Sequence, residues 1–520
     1  MVSEIFSAVR PFQRKAIVAF VDSLEKKDHV FTSSADRFNY TYLRNDNWEW
    51  SAAETNNSAK PFLGMYKKKS DLAKVDVPDF DLHVSPVLYL GAGKDSRLNR
   101  STYINSRGVE IRGMIDRKIG FYTFFTDNQE ILPAYAYDAL TLNNVFVVPH
   151  EGFWKTYKNG GVDFFQARGY IDFNVTKHVY VQFGNDRTFI GNGFRSLILS
   201  DYSPPNLFLR ANTKIWRINY FFQISRLVAN AMGSAGGSTA NKSYPVKFMA
   251  FHHASINIGK KFNLGVFESV IFTPQDTINK NTLQLNYLNP IIFYRAIEQQ
   301  GGSPDNVLLG GDFKWNATKG ISFYGQVVID EFVLKELKAG TGWWANKFAM
   351  QGGLKYIDAL NVPNLDVQLE ANLVKPYTYS HDTQYSNYSN YNQPLAHPLG
   401  ANFMEGVAIV RYQPLPKLNL IAKSFYTKIG RDTAKVNWGS DILKNNSTRQ
   451  MDYGNKIGQG VKNTIAFLDL TASYMVRHNV FIDFKATIRH SSSPVALYNN
   501  NSTITSVSLR WNIPARTYDF

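Results

Sequence analysis

Thr503-Ile-Thr-Ser-Val-Ser-Leu-Arg-Trp-Asn-Ile-Pro-Ala-Arg-Thr-Tyr-Asp-Phe520 closes the sequence. Successive side chains of an extended chain point to opposite sides, so Thr505, Val507, Leu509, Trp511 and Ile513 share one face, while Ser506, Ser508, Arg510 and Asn512 share the other. An amphipathic last strand running to a terminal aromatic is the ending expected of a transmembrane antiparallel β-barrel in the outer membrane of a Gram-negative bacterium.

The same period of two recurs from Leu82 onward. Leu365, Val367, Leu369, Ala371 and Leu373 alternate with Asp366, Gln368, Glu370 and Asn372, and Val480, Ile482, Phe484, Ala486 and Ile488 alternate with Phe481, Asp483, Lys485, Thr487 and Arg489. Such strands suit lipid outside and a wet lumen inside, whereas a soluble multi-sheet β-protein is the competing reading. Aromatics make up 14% of the 520 residues and charged residues 19%, and apolar groups are interleaved with polar ones. No run of eighteen apolar residues occurs, which excludes a helical membrane protein. The absence of cysteine removes disulfides, thiolate metal sites, cysteine nucleophiles and an N-terminal lipid anchor. No cofactor is expected.

The net charge of +15 raises the possibility of nucleic-acid binding, but Lys and Arg are scattered through turns instead of clustering on one face, so no nucleic-acid partner is expected. Near the start, Ala16 to Val21 is too short for a signal peptide, and a mature chain whose signal has been removed is expected. Residues 1–80 do not alternate. Ile17, Phe20, Val21 and Leu24 predict one amphipathic helix to about Lys27. Ser33 with Asp36 predicts a capping box opening a second helix, which Asn45, Asp46 and Asn47 end. The expected division is therefore an N-terminal helical segment, 1–80, at the periplasmic end, and a barrel over 81–520.

A first count gives eighteen strands, but connections in the middle of the chain break the rule that short turns face the periplasm and long loops face outward. Splitting the strand over 207–226 near residue 212, and removing 288–298 from the wall, restores the rule and keeps the total at eighteen. Residues 188–206 and much of 273–305 then become outward loops, long enough to fold into the lumen or carry a binding site.

Those two loops hold the distinctive motifs: Gly191-Asn-Gly-Phe-Arg-Ser-Leu197 in one, Asn289-Pro-Ile-Ile-Phe-Tyr-Arg295 in the other. With Arg10-Pro-Phe12 and Asn45-Asp-Asn-Trp-Glu-Trp50, they resemble the capsule assembly Wzi-like family of outer-membrane proteins, including the branch in gliding bacteria that contains the motility protein RemB. The resemblance implies an eighteen-stranded barrel with a helical segment at its periplasmic end. It also implies a non-catalytic role in binding or organising surface polysaccharide.

Gly191 and Gly193 around Asn192 allow positive φ and close backbone approach. Arg195 and Arg295 are candidates for anionic sugar groups, since a guanidinium grips a carboxylate in a bidentate fork; pairing with Asp or Glu to fix a folded-in loop is the alternative. Asp186, Arg187, Asp201 and Tyr294 complete the pore-loop candidates. Trp343 and Trp344 offer either faces for sugar stacking or part of a lipid-interface girdle. Tyr385, Tyr388 and Tyr391, within 380–402, suggest polymer-facing surface.

Against an enzyme, His252 and His253 point to opposite faces of one strand, and neither Gly-x-Ser-x-Gly nor His-Glu-x-x-His occurs. Two other functions stay open: a diffusion or substrate-specific channel, and a subunit of a surface secretion or gliding-motility complex. Expected partners are surface polysaccharide, outer-membrane lipid and lipopolysaccharide, the barrel-assembly machinery during insertion, and an outer-membrane protein complex.

Overall fold

A computed structural model describes residues 6–24, 31–51, 56–58, 65–141, 147–229, 244–273, 285–289, 305–383 and 385–520. Eighteen antiparallel strands close the wall. They are β1 (Phe80–Asp95), β2 (Ser101–Ile115), β3 (Ile119–Ile131), β4 (Gly161–Asn174), β5 (Val179–Asp186) and β6 (Asn206–Ile215). There follow β7 (Ile218–Val228), β8 (Val246–Ile258), β9 (Phe262–Phe272), β10 (Asn306–Asn316), β11 (Ile321–Glu331) and β12 (Lys347–Tyr356). The last six are β13 (Leu365–Val374), β14 (Phe403–Leu415), β15 (Leu418–Arg431), β16 (Val461–Arg477), β17 (Val480–Ser492) and β18 (Asn500–Trp511). β18 returns to β1 with Trp511 opposite Leu88 and Ile504 opposite Asp95, which closes the sheet and leaves no edge.

All eighteen expected stretches are in the wall, and alternation sets their faces. On β17 Phe484 is 58% exposed on the outer surface, while its neighbour Asp483 is buried in the lumen, bonded to Arg510 and Ser473. The split between β6 and β7 falls at Trp216 and Arg217, four residues later than expected. That turn contains no Gly, Asn or Pro; Trp216 itself takes the left-handed conformation at φ +54°, so none of the usual turn residues marks it.

The closing stretch departs from its expected form. β18 stops at Trp511, and Asn512, at φ +53°, turns the chain off the wall while its side chain donates to the Pro86 carbonyl. Ile513, expected beside Trp511 on the outer face, packs inward on Val87, Tyr89 and Phe124. Pro514 cannot donate to a ladder, so residues 512–520 continue through the lumen, toward the end where the long loops lie. Phe520 therefore lies inside the barrel, 6.1 Å from Tyr135 and 6.0 Å from Tyr202, not on a lipid-facing strand.

At the short-turn end, which in such barrels faces the periplasm, lie two helices, α1 (Arg14–Asp22) and α2 (Ser34–Asp46). α1 ends before Lys27, and residues 25–30 lie outside the described ones. The Ser33 hydroxyl accepts from the Asp36 amide at 3.0 Å and the Asp36 carboxylate accepts from the Ser33 amide at 3.0 Å, so both halves of the capping box form. Ser33, Asn39 and Tyr42 bond Asn364, Gln413 and Asn479, and so lay α2 across three consecutive short turns. Among the described residues no helix is long and apolar enough to cross a membrane.

The residues before α1 enter the lumen instead of packing outside it. Val9–Arg10 pair with Phe189–Ile190, and the Gly191 amide donates to the Ala8 carbonyl at 2.7 Å. The long-loop half of the lumen is consequently filled, with Ile190, Leu197, Ile198, Leu199, Tyr379 and Leu395 in one apolar cluster with wall residues such as Met249 and Phe251.

Candidate functional site

Residues 187–205 leave β5, descend into the lumen and return to β6. Gly191 sits at φ +137°, and a Cβ there would meet the Gln326 amide nitrogen at 2.2 Å. Gln326 holds the loop from the wall, accepting from the Leu197 amide at 2.8 Å and donating to the Ile190 carbonyl at 3.0 Å. A Cβ on Gly193 would lie 2.6 Å from a Glu370 oxygen, whose carboxylate accepts from the Phe194 and Arg195 amides at 2.7 and 3.1 Å. The close approach expected of these glycines is thus to wall side chains and to the N-terminal segment.

Arg195 is the hub of this plug. Its guanidinium reaches Glu405 on β14 at 3.2 Å and Asp519 of the inward-running tail at 3.3 Å, and it also donates to the Asp519 carbonyl. His397, from the loop between β13 and β14, lies 2.8 Å from the same Glu405. The His397 Nδ1 accepts from the Leu399 amide at 3.2 Å, so its proton sits on Nε2, facing Glu405. Burial lowers its pKa further, against the attraction of Glu405, and the ring is neutral. Loop, tail and wall therefore meet at one buried charge cluster.

The other expected residues scatter. Asp186 accepts from the Arg187 amide at 2.8 Å and lies 3.8 Å from Arg168; Arg187 pairs with Glu151 at 3.0 Å. Asn192 accepts from the Ser7 hydroxyl at 2.6 Å, and Asp201 is exposed. Tyr294 and Arg295, with the Pro290 to Arg295 part of their motif, lie outside the described residues. Trp343 and Trp344 follow β11 in an outward loop. The Trp344 ring lies 4.1 Å beneath Arg449 and its amide donates to the Asp452 carbonyl, so it locks two loops together instead of joining a lipid girdle. Tyr388, expected at a polymer-facing surface, is fully buried and stacks on Tyr379 at 5.8 Å, because this loop also folds inward.

Above the plug, at the outward mouth, is a pocket of about 150 Å³ that sequence reasoning missed. Its walls include Arg431, Arg489, Tyr135, Tyr202, Tyr498 and Asp441, with Phe520 rising from the tail. The Arg489 guanidinium lies 5.0 Å from the Tyr135 ring centre and Arg431 lies 5.5 Å from that of Tyr498. Arg489 donates to a main-chain oxygen of Phe520, the last residue, at 3.2 Å and to the Asn500 amide oxygen at 2.8 Å, and Arg431 to Asn463 at 3.3 Å. Among the described residues neither arginine has an Asp or Glu side chain within ion-pair distance. The only available signal was position: Arg489 belongs to the lumen-facing set of its strand, near the outward end.

Asp441 sits beside them on the loop after β15. Burial, with help from nearby Asp432, pushes its carboxyl up to about 6, against the pull of its bond from the Leu443 amide and of Lys444 and Arg431. It is therefore mostly neutral at about pH 5 and charged at about pH 8. A carboxylate ligand with an ordinary pKa stays ionised across this interval, so any such anion in the pocket is expected to be held more tightly at the lower pH. Isothermal titration at both values checks this, and Asp441→Asn is expected to give the low-pH affinity at both.

No protein-family model and no curated protein sequence matches the chain. Among solved structures, it is similar to Escherichia coli Wzi, described as an outer-membrane, carbohydrate-binding β-barrel involved in group 1 capsule assembly. The match covers 98% of this chain and 95% of that one, at a TM-score of 0.57 and 13% identity. Weaker likenesses are to Pseudomonas aeruginosa OprD (8% identity, 82% and 94% covered, TM-score 0.44) and Acinetobacter baumannii OccAB1 (11% identity, 83% and 96% covered, TM-score 0.44). The chain has the closed outer-membrane barrel fold of Wzi; at this identity the likeness is one of fold.

Proposed function

We propose that this barrel holds or organises anionic polysaccharide at the cell surface, by binding and without catalysis. The observation that carries the reading is the outward pocket. Two guanidiniums with no Asp or Glu partner among the described residues lie against tyrosine rings, above an apolar cluster in the outward half of the lumen. A guanidinium without an Asp or Glu partner keeps donors for a sugar carboxylate, and the aromatic faces accept the apolar side of a sugar ring. Wzi, whose fold this chain shares, carries a description as carbohydrate-binding, which agrees with this reading.

The competing reading is a channel. In planar bilayers the protein is expected to give no steady open current, and in solution to bind a uronic-acid polymer in preference to a neutral glucan. A steady current, or equal binding of the two polymers, sinks the proposal. In the source cell, deletion is expected to thin the surface coat seen by polysaccharide staining.

A further inference from the structure

The inner half of the lumen holds a second cavity, of about 320 Å³, between α1, Trp50 and the turns at Arg117–Lys118 and Thr176–His178. It opens toward the short-turn end and lies on the opposite side of the plug from the outward pocket. Nine Lys and Arg side chains line it against three carboxylates. Two of those carboxylates are already engaged, Glu49 with Arg112 at 3.3 Å and Asp81 with His83 at 3.5 Å. Arg14 and Arg112 also pair with Asp46 and Asp71 behind the lining, at 3.2 and 3.8 Å; the balance is still positive, and the low-dielectric walls focus that field.

Its deep wall is built for more than charge. Arg210 is 7% exposed; its Nε donates to Gln182 at 2.5 Å and one terminal nitrogen to Thr188 at 3.1 Å, and it has no ion pair among the described residues. Gln182 and Asn219, each 2% exposed, line the same wall. The Asn212 side-chain oxygen is buried there without a hydrogen-bond partner, a state that native structures usually avoid. Tyr122 and Tyr170, stacked at 5.1 Å, form a flat aromatic side. An unpaired guanidinium, amides and an orphaned acceptor, with an aromatic wall, fit a ligand that is anionic, rich in hydroxyl donors and flat on one face. The volume lies at the lower end of small-ligand sites.

We infer that this inner cavity is a second binding site, open to the periplasm, for an acidic sugar segment. Arg210 receives the carboxylate, Asn212 accepts a sugar hydroxyl, and the cations at the rim, Lys118 among them, raise the local concentration of anion. The site's chemistry stands independently of the outward pocket.

Trp50 lines this cavity, so binding there is read from its fluorescence. The full chain in detergent micelles is titrated with trigalacturonate, with maltotriose as the neutral probe and inorganic phosphate as the bare anion. Trigalacturonate is expected to change an emission component that Trp50→Phe lacks. Arg210→Gln is expected to weaken that response at least tenfold, and Lys118→Glu, on an exposed turn remote from the folded core, several-fold. Lys338→Gln, on an exposed outward loop, is expected to leave it unchanged, which separates this site from a general loss of surface charge. The inference is overturned if maltotriose gives the same response, if phosphate at equal concentration displaces trigalacturonate fully, if neither cavity variant weakens it, or if the Trp50 component never moves.

Discussion

Arg195→Ala is expected to lower the stability of the folded barrel by about 3–5 kcal/mol, the usual cost of removing one partner from a buried ion pair. The guanidinium, 7% exposed, answers two carboxylates from distant parts of the chain, Glu405 on the wall and Asp519 on the tail. Without it Glu405 keeps the neutral His397 and the Asn372 amide, and Asp519 keeps Lys423, at 3.6 Å, as its ion-pair partner among the described residues. Burial alone pushes the Asp519 carboxyl up, but Arg195 and Lys423 outweigh it and hold the group well below the usual carboxylate range. A carboxyl depressed in the folded state stabilises the fold above its unfolded pKa of about 3.9, and that stability is lost only on further acidification toward the folded value. The plug of the native protein is therefore expected to stay seated at mildly acid pH. In Arg195→Ala, the thermal midpoint should fall, and the tail and the 187–205 loop should become sensitive to protease while the strands stay protected. Arg195→Lys should recover part of the loss, since it restores the charge without the fork. An alanine variant with the native midpoint and an intact plug would show that the apolar contacts of the loop suffice.

The wall was legible because lipid on one side and a polar lumen on the other impose a period of two, which neither a turn nor a loop imitates for ten residues. It was least legible where side chains carry no contrast. β1 runs on past Leu90 through Gly91 and Gly93, which have no side chain to alternate, and the turn at Trp216 uses none of the usual turn residues. The plug was half legible. The glycine spacing of 191–193 announced a close approach and Arg195 a pairing, but Glu405 and Asp519 lie 210 and 324 residues further along, with no spacing to connect them. The closing stretch misled for a related reason. Alternation through Trp511 continued on paper to Ile513, while Pro514 and the charges of Arg516 and Asp519, which suit no lipid-facing position, marked the departure from the wall. The mouth pocket depends on what is missing around Arg431 and Arg489. A missing partner is a property of the packed barrel and has no sequence pattern.

That missing partner is the basis for the largest functional effect expected. Replacing both Arg431 and Arg489 by glutamine should weaken binding of an acidic polysaccharide by roughly 100-fold or more, because a hydrogen bond to a charged group contributes about 1.5–3 kcal/mol and each guanidinium has donors to spare. The arginines differ in their structural share. Arg489 also holds a main-chain oxygen of Phe520 and Asn500, so its loss disturbs the tail, whereas among the described residues Arg431 bonds Asn463 and lies against the Tyr498 face. Arg431→Gln alone is accordingly expected to reduce affinity with little change in thermal midpoint, and Arg489→Gln to reduce both. Equilibrium binding of a uronic-acid polymer, set beside thermal unfolding of each variant, separates the contributions. Salt provides an independent check: the native protein should lose affinity as ionic strength rises, and the double variant should lose little, since partly buried charges facing an open mouth remain within reach of screening. Affinity that survives both substitutions would move the binding surface away from the pocket and onto the outward loops around it.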